Sequence, residues 1–343
     1  IFVKKNIKKG IKFQDDMLVI KSPGKGLQPN KKTELLKKVA NRNIKSGEIL
    51  YESDLKGEKI IPRKYKFKRP FGIPVRYHDI NKLDRKSNFD FLEFHLSYKD
   101  IELDEARFLK KKYNLDFLVH APELFSGDHI LDLCSENEQY RKTSINNLKK
   151  IIKISKRLKK KFIKSSKVKV IVNVGGYSMD RQFNQKEKIN KYNLLKKSLN
   201  ELQNKDVEIL PQTMPPFPWH FGGQRYHNLF VNPEEIVQFC AKNNYRVCLD
   251  ISHAKLACNH FKWSFNDYVK KVGKFSNHLH IADAKGVDGE GLQINNGEID
   301  FAELGILLGN YCPKSTFIPE IWQGHKDNGE GFWKAFERLE NFF

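Results

Sequence analysis

From about residue 71 to its end, the chain alternates short apolar runs with amphipathic stretches. The apolar runs have the length and composition of β-strands and cover residues 71–77, 89–96, 116–120, 168–174, 207–212, 246–250, 277–281 and 316–321. The stretches with helical periodicity include 104–113, 146–161, 188–202, 233–243, 266–272, 301–308 and 331–339. Strands that alternate with helices pair in parallel, so eight such units predict an α/β fold whose sheet closes into a (β/α)8 TIM barrel.

Four of the predicted strands carry, at or near their ends, residues of the kinds that bind metal ions. These are Gln212 on the fifth strand, Asp250 on the sixth, His280 on the seventh and Glu320 on the eighth. In a barrel of this type the carboxyl ends of all strands meet at one face, where the active site lies. Carboxylate, imidazole and amide groups together suit one divalent cation with open coordination positions, such as Mn, Co, Mg or Zn.

The length of the chain leaves room for a second, smaller domain. A barrel takes about 250 residues, and the chain has 343. It begins at Ile1 with no secretory signal pattern, so we expect a piece of a longer protein. No apolar run reaches about 18 residues, which predicts no membrane span. Five cysteines without CxxC spacing indicate reduced, buried thiols in a cytoplasmic protein.

The net charge of +21, from 62 basic and 41 acidic side chains, has two interpretations. One is attraction to nucleic acid or to an anionic substrate. The other is a lysine-rich composition that places lysine on solvated helix faces. We favour the second, because lysine greatly outnumbers arginine and recognition of phosphates and bases relies more on arginine. The charge therefore does not favour nucleic acid as a partner.

The first 60 or so residues contain an internal near-repeat. Residues 6–10 read Asn-Ile-Lys-Lys-Gly, and residues 43–47 read Asn-Ile-Lys-Ser-Gly. Each copy predicts a short strand, a turn and another short strand. A Pro/Gly loop over residues 21–27 and a short helix near residues 33–38 are predicted between the copies.

This repeat with its Pro-Gly-x-Gly loop resembles the SAF or antifreeze-like domain, a small β-rich β-clip domain that closes sialic acid (nonulosonic acid) synthases. The resemblance covers residues 1–62 and implies an upstream synthase domain and a homodimer. In those synthases the domain covers the partner subunit's active site and offers it an arginine, where this chain has Ser22. A purely structural small domain is the alternative. Residues 63–70 are predicted to be a basic linker, and residues 71–343 the barrel.

The barrel resembles the xylose isomerase-like superfamily of sugar phosphate isomerases and epimerases, which includes endonuclease IV. Four motifs carry the resemblance: Leu-Val-His-Ala-Pro at 118–122, Leu-Asp-Ile-Ser-His at 249–253, His-Leu-His-Ile-Ala-Asp-Ala-Lys-Gly at 278–286, and Pro-Glu at 319–320. The resemblance implies a metal-dependent enzyme for a small-molecule sugar substrate. Combined with the SAF domain, it implies a role in amino-sugar or sialic acid biosynthesis.

The resemblance also implies roles for individual residues. The expected metal ligands are Gln212, Asp250, His280 and Glu320. The expected catalytic residues are Glu320, His253 and Lys285. The expected substrate-binding residues are His120, Trp219, Arg225, Asp288 and Glu290.

Two departures from the family's pattern keep other functions open. Many of its epimerases have a glutamate where this chain has Gln212, and Glu208 lies about 13 Å further down the same strand. A relay between two carboxylates is therefore not expected, and a non-catalytic carbohydrate-binding barrel is one alternative. The other is a DNA repair enzyme of the endonuclease IV type, although such enzymes have a histidine near Asn173. Isolated histidines on apolar strands are usually core or loop residues, and this is the alternative interpretation for His78, His95 and His278.

Overall fold

The structure, a computed structural model, describes residues 1–21, 26–57, 60–220 and 223–343. The side chains of residues 219–220 and 223–224 are outside this description, as is Ser22. The described chain divides into two compact units. The first comprises Ile1–Pro62 and Gln323–Lys334, and the second Arg63–Trp322 and Ala335–Phe343.

In the first unit the two copies of the repeat pair with each other. Ile7 and Ile44, which hold the same position in the two copies, form an antiparallel bridge with reciprocal N–H···O distances of 2.9 and 2.8 Å. The elements are the paired strands Phe2–Val3 and Leu18–Val19, the 3₁₀ helices Asp15–Met17 and Pro29–Lys31, and the α-helices Lys32–Leu35 and Glu52–Lys56. Their apolar side chains form one core cluster, so the repeat folds as a unit with its own interior.

The second unit is a closed parallel barrel. In the described residues its eight strands are Gly72–Val75, Phe91–His95, Asp116–His120, Val168–Val172, Val207–Pro211, Val247–Asp250, Ser276–Ile281 and Thr316–Pro319. The first five form one parallel sheet, and the last three form another. Single parallel bridges, Gln212 to Cys248 and Phe71 to Phe317, join the two sheets into a ring. The predicted barrel of eight parallel strands is thus observed.

Helices cover the outside of the barrel, and side-chain caps explain where several of them begin. The longer helices of the second unit are Glu138–Lys159, Gln185–Leu202, Pro233–Asn243, Ile251–Phe261, Phe265–Gly273 and Phe301–Tyr311. The helical segment Lys326–Leu339 has a kink at residues 327–329 and is divided between the two units. Short ones are Ile80–Leu83 and Tyr98–Glu102. Asn184, Asn232 and Asp300 each accept a hydrogen bond from a backbone N–H of the first turn, which satisfies donors that the helix leaves unpaired. No described helix is long and apolar enough to cross a membrane.

The predicted helix over residues 104–113 is wrong, because only a 3₁₀ turn at Glu105–Arg107 forms there. Beyond it the chain leaves the helical path, and Tyr113 makes a parallel bridge to Phe162. Conversely, the helix Ile251–Phe261 was not predicted. It begins directly after the sixth strand, so the end of the apolar run hides its start.

Residues 63–70, expected to be a linker, are packed on the barrel. Tyr65 and Phe67 join an aromatic cluster with Phe71, Phe317 and Phe336, with ring centroids 4.8 to 6.5 Å apart. The buried guanidinium of Arg69 donates to the carbonyl of Cys312 over 3.1 Å. These contacts fix the point where the chain enters the barrel.

The interior of the barrel is layered, and this layering positions the site. An apolar layer consists of Phe91, Leu118, Ile171, Leu210, Cys248 and Ile318. Side chains on a strand alternate between the two faces, so the residue two positions further on points into the same interior, nearer the carboxyl end. Those positions are occupied by Glu93, His120, Asn173, Gln212, Asp250 and Glu320. A polar layer therefore lies directly on an apolar one.

Candidate metal centre

The four predicted metal ligands lie together at the carboxyl end of the barrel. The Nδ1 atom of His280 is 2.7 Å from Glu320 Oε2, 3.2 Å from Gln212 Nε2 and 3.8 Å from Asp250 Oδ2. His280, Asp250 and Gln212 are buried, whereas the side chain of Glu320 is 31% exposed and faces the mouth. One imidazole nitrogen thus faces two carboxylates and an amide.

Asp250 is held in place by the start of the helix that follows it. Its Oδ1 atom accepts the backbone N–H of His253 at 2.9 Å, so it is both the last strand residue and the N-cap of Ile251–Phe261. Its own N–H donates to Thr213 Oγ1 over 2.9 Å. Its Oδ2 atom lies 3.1 Å from the side-chain amide of Gln212 and is the oxygen that faces the other ligands.

The hydrogen bonds of His120 show how Gln212 fits a cation. His120 Nδ1 lies 2.9 Å from the carbonyl of Ala121, which requires Nδ1 to be the donor. Burial lowers the pKa of His120, so the ring is neutral and its Nε2 carries a lone pair. That Nε2 is 3.0 Å from the Gln212 amide and can only accept a hydrogen bond. The NH₂ group of Gln212 therefore faces His120, and its Oε1 atom faces Asp250 and His280.

Glu93 is the main site residue that was not predicted. Its side chain is fully buried, and its Oε1 atom lies 2.9 Å from both His95 Nε2 and His280 Nε2. Its Oε2 atom is 2.7 Å from His278 Nε2. His95 and His278 therefore contact the same buried carboxylate as His280. The signal in the sequence was a glutamate at an inward-facing position between the apolar residues Leu92 and Phe94.

The charges of this cluster are strongly coupled. Burial would lower the pKa of His280, but Cys248, Glu320 and Glu93 raise it well above its usual value. Burial would raise the pKa of Glu320, but His280 and His95 lower it. Burial raises the pKa of Asp250 to about 7 despite the opposing effect of His253. Carboxylates thus surround His280, and their negative charge favours a cation at this place.

Among the described residues, three groups of side chains bring possible ligand atoms within 4.8 Å of one another. All three contain His280; they are His120–His280–Glu320, Glu93–His95–His280 and Cys248–His278–His280. The donor chemistry of carboxylate, imidazole and amide fits a divalent cation.

The predicted substrate-binding and catalytic residues are only partly brought to this site. His253 Nε2 lies 3.6 Å from Glu290 Oε2, where the hairpin of Asp283–Lys285 and Gly289–Leu292 covers the rim. Asp288 and Lys285 are exposed, and within the described residues neither side chain forms a hydrogen bond or ion pair. The structure therefore does not bring these two residues into the cluster.

The loops after the fourth and fifth strands meet beside the site. Tyr177–Ser178 pairs with Tyr226–His227, and the Arg225 guanidinium lies 5.0 Å from the centre of the Tyr177 ring. The expected contact of Trp219 with substrate falls on a side chain outside the described residues.

Comparison with known protein families agrees with this geometry. The family model described as xylose isomerase-like TIM barrel matches residues 83–341. The chain belongs to the xylose isomerase-like TIM barrel family. A model of the SAF domain matches residues 1–56, within the first unit.

Individual relatives are distant. The uncharacterised protein MJ1311 of Methanocaldococcus jannaschii is 27% identical over 201 residues, which are 57% of this chain and 61% of that protein. The chain thus matches about three fifths of the length of this curated relative.

Solved structures share the fold of the barrel. A D-tagatose 3-epimerase-like protein has a TM-score of 0.53 at 23% identity, over 79% of this chain and 98% of that chain. An L-ribulose 3-epimerase has a TM-score of 0.53 at 15% identity, over 78% and 94%. Endonuclease IV from Thermus thermophilus has a TM-score of 0.51 at 13% identity, over 79% and 99%. At these identities the likeness shows the fold alone.

Proposed function

We propose that the barrel is a divalent-cation-dependent enzyme that isomerises a sugar or sugar phosphate by moving a proton next to a carbonyl group. The observation that carries this proposal is the convergence of Asp250 and Glu320 on one nitrogen of His280, with Glu320 also open to the mouth. The epimerases among the proteins of similar fold support a carbohydrate substrate.

Gln212, Asp250, His280 and Glu320 would hold the cation. Two carboxylates bring a charge of about −2, which one dication balances while positions remain open for substrate oxygens. When bound, such a cation polarises a carbonyl and stabilises the enediolate that forms when the neighbouring carbon loses its proton.

Glu320 is the base in this proposal. Its pKa is lowered, so it is ionised at neutral pH, and it is the exposed carboxylate of the set. Asp250 is buried, and its Oδ1 atom already accepts the backbone N–H of His253. Gln212 cannot accept a proton. A single base can move a proton between two adjacent carbons on the same face of the substrate, as aldose–ketose exchange requires. Inversion at one carbon would need a proton donor on the opposite face, so aldose–ketose exchange is favoured.

His253 and Glu290 are placed to bind a substrate hydroxyl at the rim. His253 Nδ1 lies 2.9 Å from the carbonyl of Thr213, which fixes Nδ1 as a donor and directs Nε2 toward Glu290. An imidazole beside a carboxylate can share a proton with a sugar hydroxyl. His120 lies beside Gln212, with its Nε2 atom 3.0 Å from the amide.

The SAF domain supports a place in amino-sugar metabolism. We further propose a role in sialic acid (nonulosonic acid) biosynthesis, with a synthase domain upstream and a homodimer as the assembled form. The buried, unpaired state of the five cysteines, all within the described residues, supports a cytoplasmic location.

A second candidate is hydrolysis of a phosphodiester in damaged DNA. The observation in its favour is a stack of three imidazoles, His95, His120 and His280, with centroids 5.0 to 6.0 Å apart. A site for a single cation needs fewer imidazole ligands than these three. Against it, the amide of Asn173 is engaged by Glu123 and by Gly175 N. Nicking of duplex DNA with an abasic site would establish this candidate.

The deciding experiment compares the wild type with Glu320→Gln in metal content and turnover. We expect about one Mn, Co or Zn per chain in the wild type and conversion of at least one member of a panel of sugars, sugar phosphates and amino sugars. Glu320→Gln keeps the shape of the side chain but loses the base, and we expect its turnover to fall by at least about 100-fold.

Glu208→Gln is the matched control, because Glu208 lies on the strand of Gln212 but is bonded to Asn277 deep in the barrel. Its turnover should match that of the wild type. A wild type that binds no cation sinks the enzymatic proposal, and one that binds cation without any turnover would indicate a carbohydrate-binding barrel.

A further inference from the structure

We propose that Glu93 is the positioning residue of the metal centre: it holds His280 through Nε2 and thereby commits Nδ1 to the cation. This inference rests on the proposed function, in that it assumes a cation at Asp250, His280 and Glu320.

The contacts of Glu93 place it on the other side of the His280 ring from Asp250 and Glu320. It lies on the second strand and reaches across the barrel to the seventh, where its Oε1 atom is 2.9 Å from His280 Nε2. The other nitrogen of that ring faces Glu320 and Asp250. The ring therefore has Nε2 toward the fully buried Glu93 and Nδ1 toward the partly exposed Glu320.

Because the two nitrogens of His280 face different groups, their chemical roles also differ. A neutral imidazole that binds a cation through one nitrogen keeps its proton on the other. A carboxylate that accepts this proton fixes the tautomer and orientation of the ring and makes its free nitrogen a better ligand. Because Glu93 faces Nε2, the proton of a cation-bound His280 would stay on Nε2, and the lone pair on Nδ1 would point toward Asp250 and Glu320.

Glu93 organises two further imidazoles at the same time. Its Oε1 atom is 2.9 Å from His95 Nε2, and its Oε2 atom is 2.7 Å from His278 Nε2. His278 is held from its other side by Thr316 Oγ1 at 2.7 Å from Nδ1. A fully buried carboxylate is costly unless it is paired, and these three rings provide the pairing. The arrangement links the orientation of His95, at the mouth, to that of His280.

Glu93→Gln tests the proposal, since it keeps the size of the side chain but replaces an acceptor oxygen by an NH₂ group. We expect the dissociation constant for Zn²⁺, measured by competition with a chromogenic chelator, to rise about 10- to 100-fold. Glu93→Asp keeps the negative charge but shortens the side chain by one methylene group. We expect its loss of Zn²⁺ affinity to be smaller than that of Glu93→Gln. Glu208→Gln, another carboxylate of the barrel interior, should leave Zn²⁺ affinity unchanged.

The second measurement is the Hε2 resonance of His280 in protein with ¹⁵N-labelled histidine, assigned with a His280→Gln variant. A proton shared with a buried carboxylate should resonate far downfield in the wild type, remain when Zn²⁺ is added, and be lost in Glu93→Gln. A residue needed only for folding would lower the melting temperature without moving this signal or the affinity of the folded protein. If Glu93→Gln does not fold, Glu93→Asp gives both readings.

Two results overturn the inference: unchanged Zn²⁺ affinity in the folded Glu93 variants, or an unchanged Hε2 resonance. The resonance needs no cation, so it reports on Glu93 even in metal-free protein. If the wild type binds no cation, the proposed function is wrong. That result differs from the two that contradict the role of Glu93, so the failure of one proposal can be told from the failure of the other.

Discussion

Gln212 is the residue at which this chain departs most clearly from the carboxylate-rich sites that its family resemblance suggests. A neutral amide lowers the negative charge of the cluster and removes one possible base, while its oxygen can still bind a cation. The neighbouring His120 makes that role specific, because a neutral ring that donates from Nδ1 to Ala121 needs a donor at its Nε2. The amide then turns its oxygen inward.

The first prediction concerns Gln212→Glu. A third carboxylate near Asp250 and Glu320 should tighten binding of Mn²⁺ or Co²⁺ by about tenfold, because charge count tunes the affinity of oxygen-rich sites. Without cation, the same variant should melt at a lower temperature than the wild type, since the new charge would lie about 3 Å from Asp250 in a buried place. Titration calorimetry and thermal melting with and without cation provide both values.

Gln203→Glu, an exposed position after the helix Gln185–Leu202, serves as the control for added charge. Equal or weaker cation binding by Gln212→Glu would remove Gln212 from the ligand set.

Among the elements, the barrel strands show how much local sequence decides. Alternation along each strand fixes which residues face the interior, and the shared offset of two positions places Gln212 after Leu210 and Glu320 after Ile318. The helix starts are also local, because Asn232 and Asp300 cap their own first turns. The stretch 104–113 is the exception, since tertiary pairing of Tyr113 overrides its helical periodicity.

The segment Gln323–Lys334 is an element whose place is not evident from its sequence. It belongs to the first unit although it follows the eighth barrel strand by only a few residues. Three consecutive residues, Asp327, Asn328 and Gly329, have φ values of 55°, 61° and 84°, in the left-handed region. Burial, and then the nearby charge of Glu52, raises the pKa of Asp327 to about 6.

The second prediction follows from that shift. A carboxyl group with a raised pKa binds its proton more tightly in the folded than in the unfolded chain, whose value is about 3.9. The free energy of unfolding should therefore fall as pH rises from about 4 to about 6. Asparagine also tolerates a left-handed φ, so Asp327→Asn should keep the backbone and remove this fall. At pH 7 the variant should be more stable than the wild type by about 1 kcal/mol, after allowance for solvent screening.

Urea unfolding at pH 4.5 and pH 7 measures the effect. Asp288→Asn, at an exposed hairpin tip, is the control and should keep the wild-type dependence on pH. If the free energy of unfolding of Asp327→Asn falls with pH as steeply as that of the wild type, the prediction is wrong.

At the scale of the whole barrel, the ring closes between the first and eighth strands through few backbone hydrogen bonds and many contacts between aromatic side chains. The first and eighth strands meet at the single bridge from Phe71 to Phe317 and the hydrogen bond from Phe317 N to the Pro70 carbonyl at 3.1 Å. Phe317 is fully buried and packs on Phe67 and Phe343, with centroids 4.9 and 5.7 Å away. Packing of this cluster therefore holds the ring closed.

The third prediction is that Phe317→Ala lowers the free energy of unfolding by about 3–5 kcal/mol, the cost of a large cavity in a close-packed core. Ile306→Ala, whose side chain is 66% exposed, should change it by no more than about 0.5 kcal/mol. Urea unfolding followed by circular dichroism measures both. A cost below about 1 kcal/mol for Phe317→Ala would show that the aromatic cluster does not close the barrel.

The sequence alone determined the barrel, the SAF domain and the convergence of Gln212, Asp250, His280 and Glu320, because strand alternation and the βα order are local patterns that force strand ends to one face. The tertiary structure decided what those patterns do not encode. Glu93 lies 187 positions before His280 and meets it only across the closed barrel. Likewise, only the path of the hairpin after the seventh strand leaves Lys285 exposed and brings Glu290 to His253. Contacts between residues far apart in sequence depend on closure of the ring, which no single segment specifies.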